Sequence, residues 1–260
     1  MKIVQINATC GIGSTGKICI GISSVLTEKN IENYILCSRS NGNEAGIICS
    51  DGKYIKFQAL KSKMLGNYGF NSHAATRRMI AELERLQPDI VHLHNIHGHD
   101  CDLDSLFGYF KANKIKLVWT FHDCWAFTAY CTYFTMAKCD KWQNGCTDCV
   151  KKREYSWFFD KSSKIYDRKK RLFEGLDMTI VTPSQWLADL VKQSFLKDYP
   201  VFVLNNGIFS LFSDRVRVDS GKNMIWRTKV LFSEYLLVGM PEKVWTCLLS
   251  YLADWETLTR

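Results

Sequence analysis

Apolar positions along the chain fall in short runs separated by helix-length amphipathic stretches. Lys2–Asn7, Asn33–Ser38, Asp89–Leu93, Lys116–Thr120, Met178–Thr182 and Val201–Leu204 are predicted strands. Their apolar runs are nearly continuous, as in strands covered on both faces. Between them, Gly16–Lys29 puts Ile18, Ile22, Val25 and Leu26 on one helical face. Ser72–Leu86, stopped by Pro88, and Leu103–Asn113, Lys161–Gly175 and Ser184–Ser194 are the other predicted helices, with Ser184 well placed as a cap. Residues 41–70 are rich in Gly, Asn and Lys and are expected to hold at most short strands near Ile47 and Tyr54. Strand–helix alternation predicts an α/β fold: a Rossmann-like parallel sheet with helices on both faces. Ligands of such sheets bind beyond the C-terminal strand ends. The places to look are therefore just after Asn7, Leu93, Thr120, Thr182 and Leu204.

Each of the first three ends carries polar chemistry. After Asn7 comes Gly11-Ile12-Gly13-Ser14-Thr15-Gly16-Lys17. Glycines let a backbone approach an anion, and a helix N-terminus offers free N–H groups and partial positive charge. The spacing fits a dinucleotide fingerprint and nearly fits a P-loop, although Ile18 stands where a Mg²⁺-binding Ser or Thr belongs. Arg39, after the second strand, keeps an NADP reading open. After Leu93, His92, His94, His97 and His99 place four of the six histidines within eight residues. His92 and His94 share one side of the strand. Cleft lining, packing and a metal site are all open to them, though their spacing is not a metal signature. After Thr120, His122 and Asp123 leave a buried strand. An imidazole there can hydrogen-bond a hydroxyl or phosphate, with Asp123 orienting it or binding the acceptor.

Pro88–Asn95, Val118–Thr128, Thr182–Leu187 and Asn205–Ile208, together with the glycine loop, resemble the retaining GT-B glycosyltransferases of family 4, which build bacterial cell-surface polysaccharides. The resemblance covers residues 1–208 and implies an N-terminal, acceptor-side domain. It implies that Gly13, Ser14, Thr15, Gly16 and Lys17 lie near the donor phosphates and that His94, Asn95 and His97 line the acceptor cleft. His122 and Asp123 are the catalytic candidates. The implied partners are a nucleotide-sugar donor, once a second domain is supplied, and a saccharide or lipid-linked acceptor. No cofactor is required for catalysis.

Composition bounds the alternatives. Apolar residues make up 47% and charged residues 23%, which suits a packed globular chain, and no run is long enough to span a bilayer. The N-terminus reads as a strand and not a signal peptide, so a cytoplasmic location is expected. The net charge of +8 is partly clustered in Lys151–Arg153 and in Lys161, Lys164 and Arg168–Arg171. That cluster is either a solvated helix face or a surface for anionic lipid at the inner face of the membrane. No helix-turn-helix, zinc-finger or RRM signature is present, so nucleic acid is not an expected partner.

Five of eleven cysteines crowd into a predicted Cys-rich insertion, 124–152. Cys131, Cys139, Cys146 and Cys149 end in a C-x2-C knuckle, a donor set suited to a structural zinc ion. A packed loop or a disulfide pair fits as well. Trp125, Phe127, Tyr130, Tyr133, Phe134 and Trp142 interleave with these cysteines, to pack, to stack on a sugar or to rest on lipid. A zinc-braced, non-catalytic binding module is the rival to an enzyme. Residues 209–260 show no βαβ alternation, and the Glu234/Glu242 spacing, with Pro241 inside it, is read as chance. Reading Met240–Cys247 from the third base of the Met240 codon allows Ala-Arg-Lys-Gly-Leu-Asp-Met, which resembles the opening of the family's second domain. The tail is therefore expected to be an out-of-frame product in place of the donor domain, leaving a truncated enzyme inactive by itself.

Overall fold

The computed structural model describes residues 1–42 and 45–206. The out-of-frame tail expected at 209–260 lies outside them. The elements in order are β1 (Lys2–Ile6), β2 (Thr9–Cys10), α1 (Gly13–Glu28), β3 (Glu32–Cys37), β4 (Arg39–Ser40), β5 (Gly46–Ile48), α2 (Gly52–Leu65), α3 (His73–Leu86), β6 (Ile90–Leu93), α4 (Leu103–Ala112), β7 (Lys116–Thr120), α5 (Lys152–Tyr155), α6 (Ser162–Phe173), β8 (Met178–Thr182), α7 (Gln185–Lys192) and β9 (Val201–Val203). Three short 3₁₀ turns, Trp125–Phe127, Thr135–Ala137 and Lys141–Gln143, punctuate the cysteine loop.

Seven strands form one parallel sheet in the order β5-β3-β1-β6-β7-β8-β9, and β2 pairs with β4 beside it. The chain reverses its direction of travel across the sheet between β1 and β6, which makes this pair the topological switch point. Strand alternation divides the core. Val4, Ile6, Val91, Leu93, Leu117 and Trp119 pack with apolar side chains of α3, α4 and α6. On the opposite face Ile35 and Cys37 pack with Cys19 of α1, and the Gln5 amide donates to the Cys19 carbonyl at 3.1 Å. His92, in register with Gln5, shares that face.

Two readings of the sequence need correction. The first is that 52–65 is a helix and not an irregular stretch. Its signals are terminal: the Asp51 side chain accepts from Tyr54 N–H, and Gly66 closes the helix in the left-handed conformation. Its buried positions are Gln58 and Ser62 while Phe57, Leu60 and Met64 face water, so no core-facing apolar stripe announces it. The second is that the basic run of α6 is not one solvated face. Lys169 is fully buried, donating to the carbonyls of Trp125 at 2.7 Å and Thr128 at 3.1 Å, with Nζ 3.5 Å from the Trp125 ring centre.

Candidate functional site

A shallow recess opens beyond β6 and β7, lined by His94, Asn95, His97, His122, Asp123 and Trp125, with Trp119 and Phe121 at its base. Its cavity volume is about 10 Å³, room for about one water and far below the roughly 300–1,000 Å³ of a pocket that encloses a whole ligand. Hydrogen bonds across the switch point set its shape: Ala8 N–H donates to Asn95 O at 2.9 Å, Asn95 N–H to Asn7 Oδ1 at 3.1 Å, and Trp119 Nε1–H to His94 O at 3.0 Å.

The histidines form a directed chain. With the Gln5 amide nitrogen committed to Cys19, Gln5 Oε1 faces His94 Nε2 at 3.1 Å and must accept from it. Burial, reinforced by His92 and His122, drives His94 well below the usual imidazole range. It is therefore neutral, and Nδ1 carries its lone pair. His122 Nε2, 3.1 Å from that atom, must donate. His122 is itself held down to about 4, mainly by burial. Neutral His122 thus carries a lone pair on Nδ1, the acceptor end of the relay. His92 is pushed down to about 3 by burial and lies 2.8 Å from Thr120 Oγ1.

Asp123 and His97 form a second unit. One Asp123 oxygen accepts from Trp125 N–H at 2.9 Å, and the other pairs with His97 Nε2 at 2.9 Å. The Tyr68 hydroxyl donates to His97 O at 2.7 Å, and the Tyr68 and His97 rings both lie against Trp125. With both oxygens engaged, Asp123 seats His97 and the turn into Trp125. Buried Asp100, which accepts from the Ser38 hydroxyl at 2.5 Å, sits in the loop that leaves the recess. Tyr68, Asp100 and Lys169 were not legible as site supports. Tyr68 follows the unannounced helix, Asp100 is one acid after four histidines, and Lys169 is one cation in a basic run.

The glycine loop stands on the same sheet edge but does not line the recess. Gly11 and Gly13 adopt φ of 71° and 69°, Gly11 N–H donates to Gly16 O at 3.1 Å, and Thr9 Oγ1–H donates to Ile12 O at 2.8 Å. No side chain caps α1, and Gly13, Ser14 and Lys17 are exposed, so the first-turn N–H groups face outward. A P-loop reading fails on this geometry. Only Gly11 and Ile12 separate β2 from α1, and Lys17 lies more than a turn inside the helix. Arg39 is exposed in β4, opposite Thr9.

In the cysteine loop, Cys131 and Cys149 share a thiol hydrogen bond, and Ala129 N–H donates to Cys146 Sγ at 3.4 Å. Among the described residues, no group of three or more His, Cys, Asp or Glu side chains is gathered tightly enough to grip a metal. The interleaved aromatics resolve as packing: Trp125, Phe127, Tyr130, Phe134 and Trp142 are buried, and Tyr133 alone of the six is exposed.

The Glycosyltransferase Family 4 model matches residues 18–209. The chain is 21% identical over 231 residues to the putative colanic acid biosynthesis glycosyl transferase WcaC of Escherichia coli (strain K12), covering 80% of this chain and 55% of that protein. It thus spans about half the length of that relative. The UDP-GlcNAc 2-epimerase structure from Methanocaldococcus jannaschii aligns with 79% of this chain and 46% of its own at 12% identity, with a TM-score of 0.39.

Proposed function

Because the chain belongs to glycosyltransferase family 4, we propose that its described domain forms the acceptor half of a sugar-transfer site used in polysaccharide biosynthesis. The donor would be a nucleotide-sugar and the acceptor a saccharide or lipid-linked hydroxyl, met at the cytoplasmic face of a membrane. The observation that carries this reading is the neutral His122 at the end of the Gln5–His94–His122 relay. Its free Nδ1 lone pair is a fixed acceptor for a sugar hydroxyl laid across the recess. Transfer with retention needs the acceptor hydroxyl held close and the leaving diphosphate stabilised electrostatically. The recess supplies the first. The open N-terminus of α1 supplies part of the second, with the remaining donor contacts coming from a second domain. Asp123 acts here by positioning His97.

Long-range ¹H–¹⁵N imidazole spectra of the chain, titrated with a panel of methyl glycosides, test this. We expect the Nδ1 resonance of His122 to move with at least one sugar and that movement to be lost in Gln5→Leu. Spectra in which no sugar perturbs His122 would sink the reading. Calorimetry with UDP- and GDP-sugars tests the division of labour: weak heats are expected, and tight binding by this chain overturns it. A structural zinc ion on Cys131, Cys139, Cys146 and Cys149 belongs to the same proposal; it rests on the cysteine spacing alone, because the described side chains are not gathered around a metal. Metal analysis of the purified chain should give one zinc per chain, and less in Cys146→Ser.

A further inference from the structure

Helix α2 is inside out. Its buried residues are Gln58 and Ser62, while Phe57, Leu60 and Met64, at helical spacing on one stripe, face water together with Leu65. Beside its C-terminal end the chain passes again as Trp157, Phe158 and Phe159, three consecutive aromatics. These seven side chains are between 40% and 65% exposed. The end of the helix and the aromatic segment touch through their backbones. Trp157 N–H donates to Lys63 O at 2.8 Å. Gly66 lies so close to the aromatic segment that a Cβ there would stand 2.8 Å from Ser156 Oγ and 3.0 Å from Phe159 O. Soluble proteins rarely leave so contiguous an apolar patch uncovered without a partner for it.

The charge around the patch has one sign. Helix α2 carries Lys53, Lys56, Lys61 and Lys63 and no acid. Lys151, Lys152, Arg153, Lys161 and Lys164 flank the aromatic segment. Lys161 Nζ lies 5.6 Å from the Phe159 ring centre. The nearby acids are already engaged: Glu154 with Lys151 at 3.0 Å, and Asp160 by the N–H groups of Cys149 and Ser162.

We propose that α2 and Trp157–Phe159 together form a docking surface for an anionic lipid bilayer. The apolar stripe and the three aromatics enter the headgroup–acyl boundary, and the lysines bury their stems and meet lipid phosphates. Aromatic side chains are the natural occupants of that boundary. At about 1.5 Å per residue α2 is roughly 21 Å long, enough to lie flat in the interface. The surface leads directly to the recess: Gly66 O accepts from Tyr130, and Tyr68 hydrogen-bonds His97. A lipid-linked acceptor held in the same leaflet would present its saccharide beside His122. That last point rests on the acceptor reading above; the docking surface does not.

The test is cosedimentation of the full chain with phosphatidylcholine vesicles carrying or lacking phosphatidylglycerol. We expect binding to the anionic vesicles, weakened by added salt because exposed charges are screened. Trp157→Ala/Phe158→Ala/Phe159→Ala and Phe57→Ser/Leu60→Ser/Met64→Ser should each cut partitioning by at least about tenfold. All six residues are exposed, so unchanged circular dichroism and melting would show that the fold persists. Lys56→Glu/Lys61→Glu should remove the preference for anionic lipid. Failure to sediment with anionic vesicles, or sedimentation indifferent to these substitutions, overturns the proposal. So does a dimer in solution that the same substitutions dissolve, since the patch would then face a second copy. Sedimentation needs no sugar transfer, so its failure would leave the glycosyl reading standing, and unmoved imidazole spectra would leave lipid docking standing.

Discussion

A lysine without exposure and without a carboxylate partner is unusual enough to need a reason, and Lys169 has one. Its ammonium bonds the carbonyls of Trp125 and Thr128 and rests on the Trp125 ring. This pins the start of the cysteine loop to α6 and holds Trp125 as a wall of the recess. Burial pulls Lys169 well below the usual lysine range, offset in part by Cys146 and Asp123. The energetics decide which substitution is informative. Lys169→Met keeps most of the volume and removes the buried amine, but it strands the Thr128 carbonyl, at a cost of about 1–3 kcal/mol, and leaves the Trp125 carbonyl only its 3.4 Å bond from Thr128 N–H. Lys169→Ala adds a cavity. We expect urea unfolding to show a loss of about 2 kcal/mol for Lys169→Met and more for Lys169→Ala. A Lys169→Met chain as stable as the parent would mean that the Thr128 carbonyl finds water and that the lysine clamps nothing.

At the scale of elements, the turn into α1 separates two kinds of glycine. Gly13 needs its left-handed φ of 69°, but a Cβ there meets nothing within 4 Å. Gly16 has ordinary helical geometry, but its Cβ would fall 2.8 Å from Thr9 Oγ1 and 3.2 Å from both Gly11 N and Thr9 O. Gly13→Ala should therefore cost about 1 kcal/mol from backbone strain alone. Gly16→Ala should cost about 1–3 kcal/mol because part of what must move is backbone. Thermal melts compare the two directly, and equal costs would show that the loop adjusts freely. The same turn marks what could be read from sequence. The six predicted strands all form, because continuous apolar runs between turn signals are a local pattern. The start of α1 came out three residues late, since Gly13-Ser14-Thr15 has no apolar period to show that the helix has begun. Helix α2 went unseen because its exposed side is the apolar one. The residue types at the strand ends were legible, and the sheet gathers His94, Asn95, His97, His122 and Asp123 around one recess. What each atom does was not legible. The roles of His94 and His122 follow from Gln5, a polar residue in an apolar strand whose partner Cys19 lies a helix away.

For the molecule as a whole, the switch-point edge of the sheet is built on imidazoles that must stay uncharged, and this sets an acid limit on the fold. His92 and His122 are held down to about 3 and about 4 by burial, and His94 well below its usual range. In the unfolded chain each titrates near 6.5. Above that value both states are neutral and the histidines contribute no pH dependence. As pH falls below about 6.5 the unfolded chain takes up protons that the folded one refuses, so the bound-proton difference favours unfolding. Each histidine then removes up to about 1.4 kcal/mol of stability per pH unit, down to its folded value. Between about pH 6.5 and 5 the three together remove up to about 6 kcal/mol, as much as the lower end of the roughly 5–15 kcal/mol that such a domain has to lose. Urea unfolding measured at steps from pH 7.5 to 5 should show a flat upper region and a steep decline below about 6.5. His92→Gln should flatten part of the slope, because a glutamine in that place does not titrate. A stability that stays level through this range would mean that the relay accepts a proton. Neutral His122 with its open Nδ1, on which the acceptor reading stands, would then be the wrong protonation state.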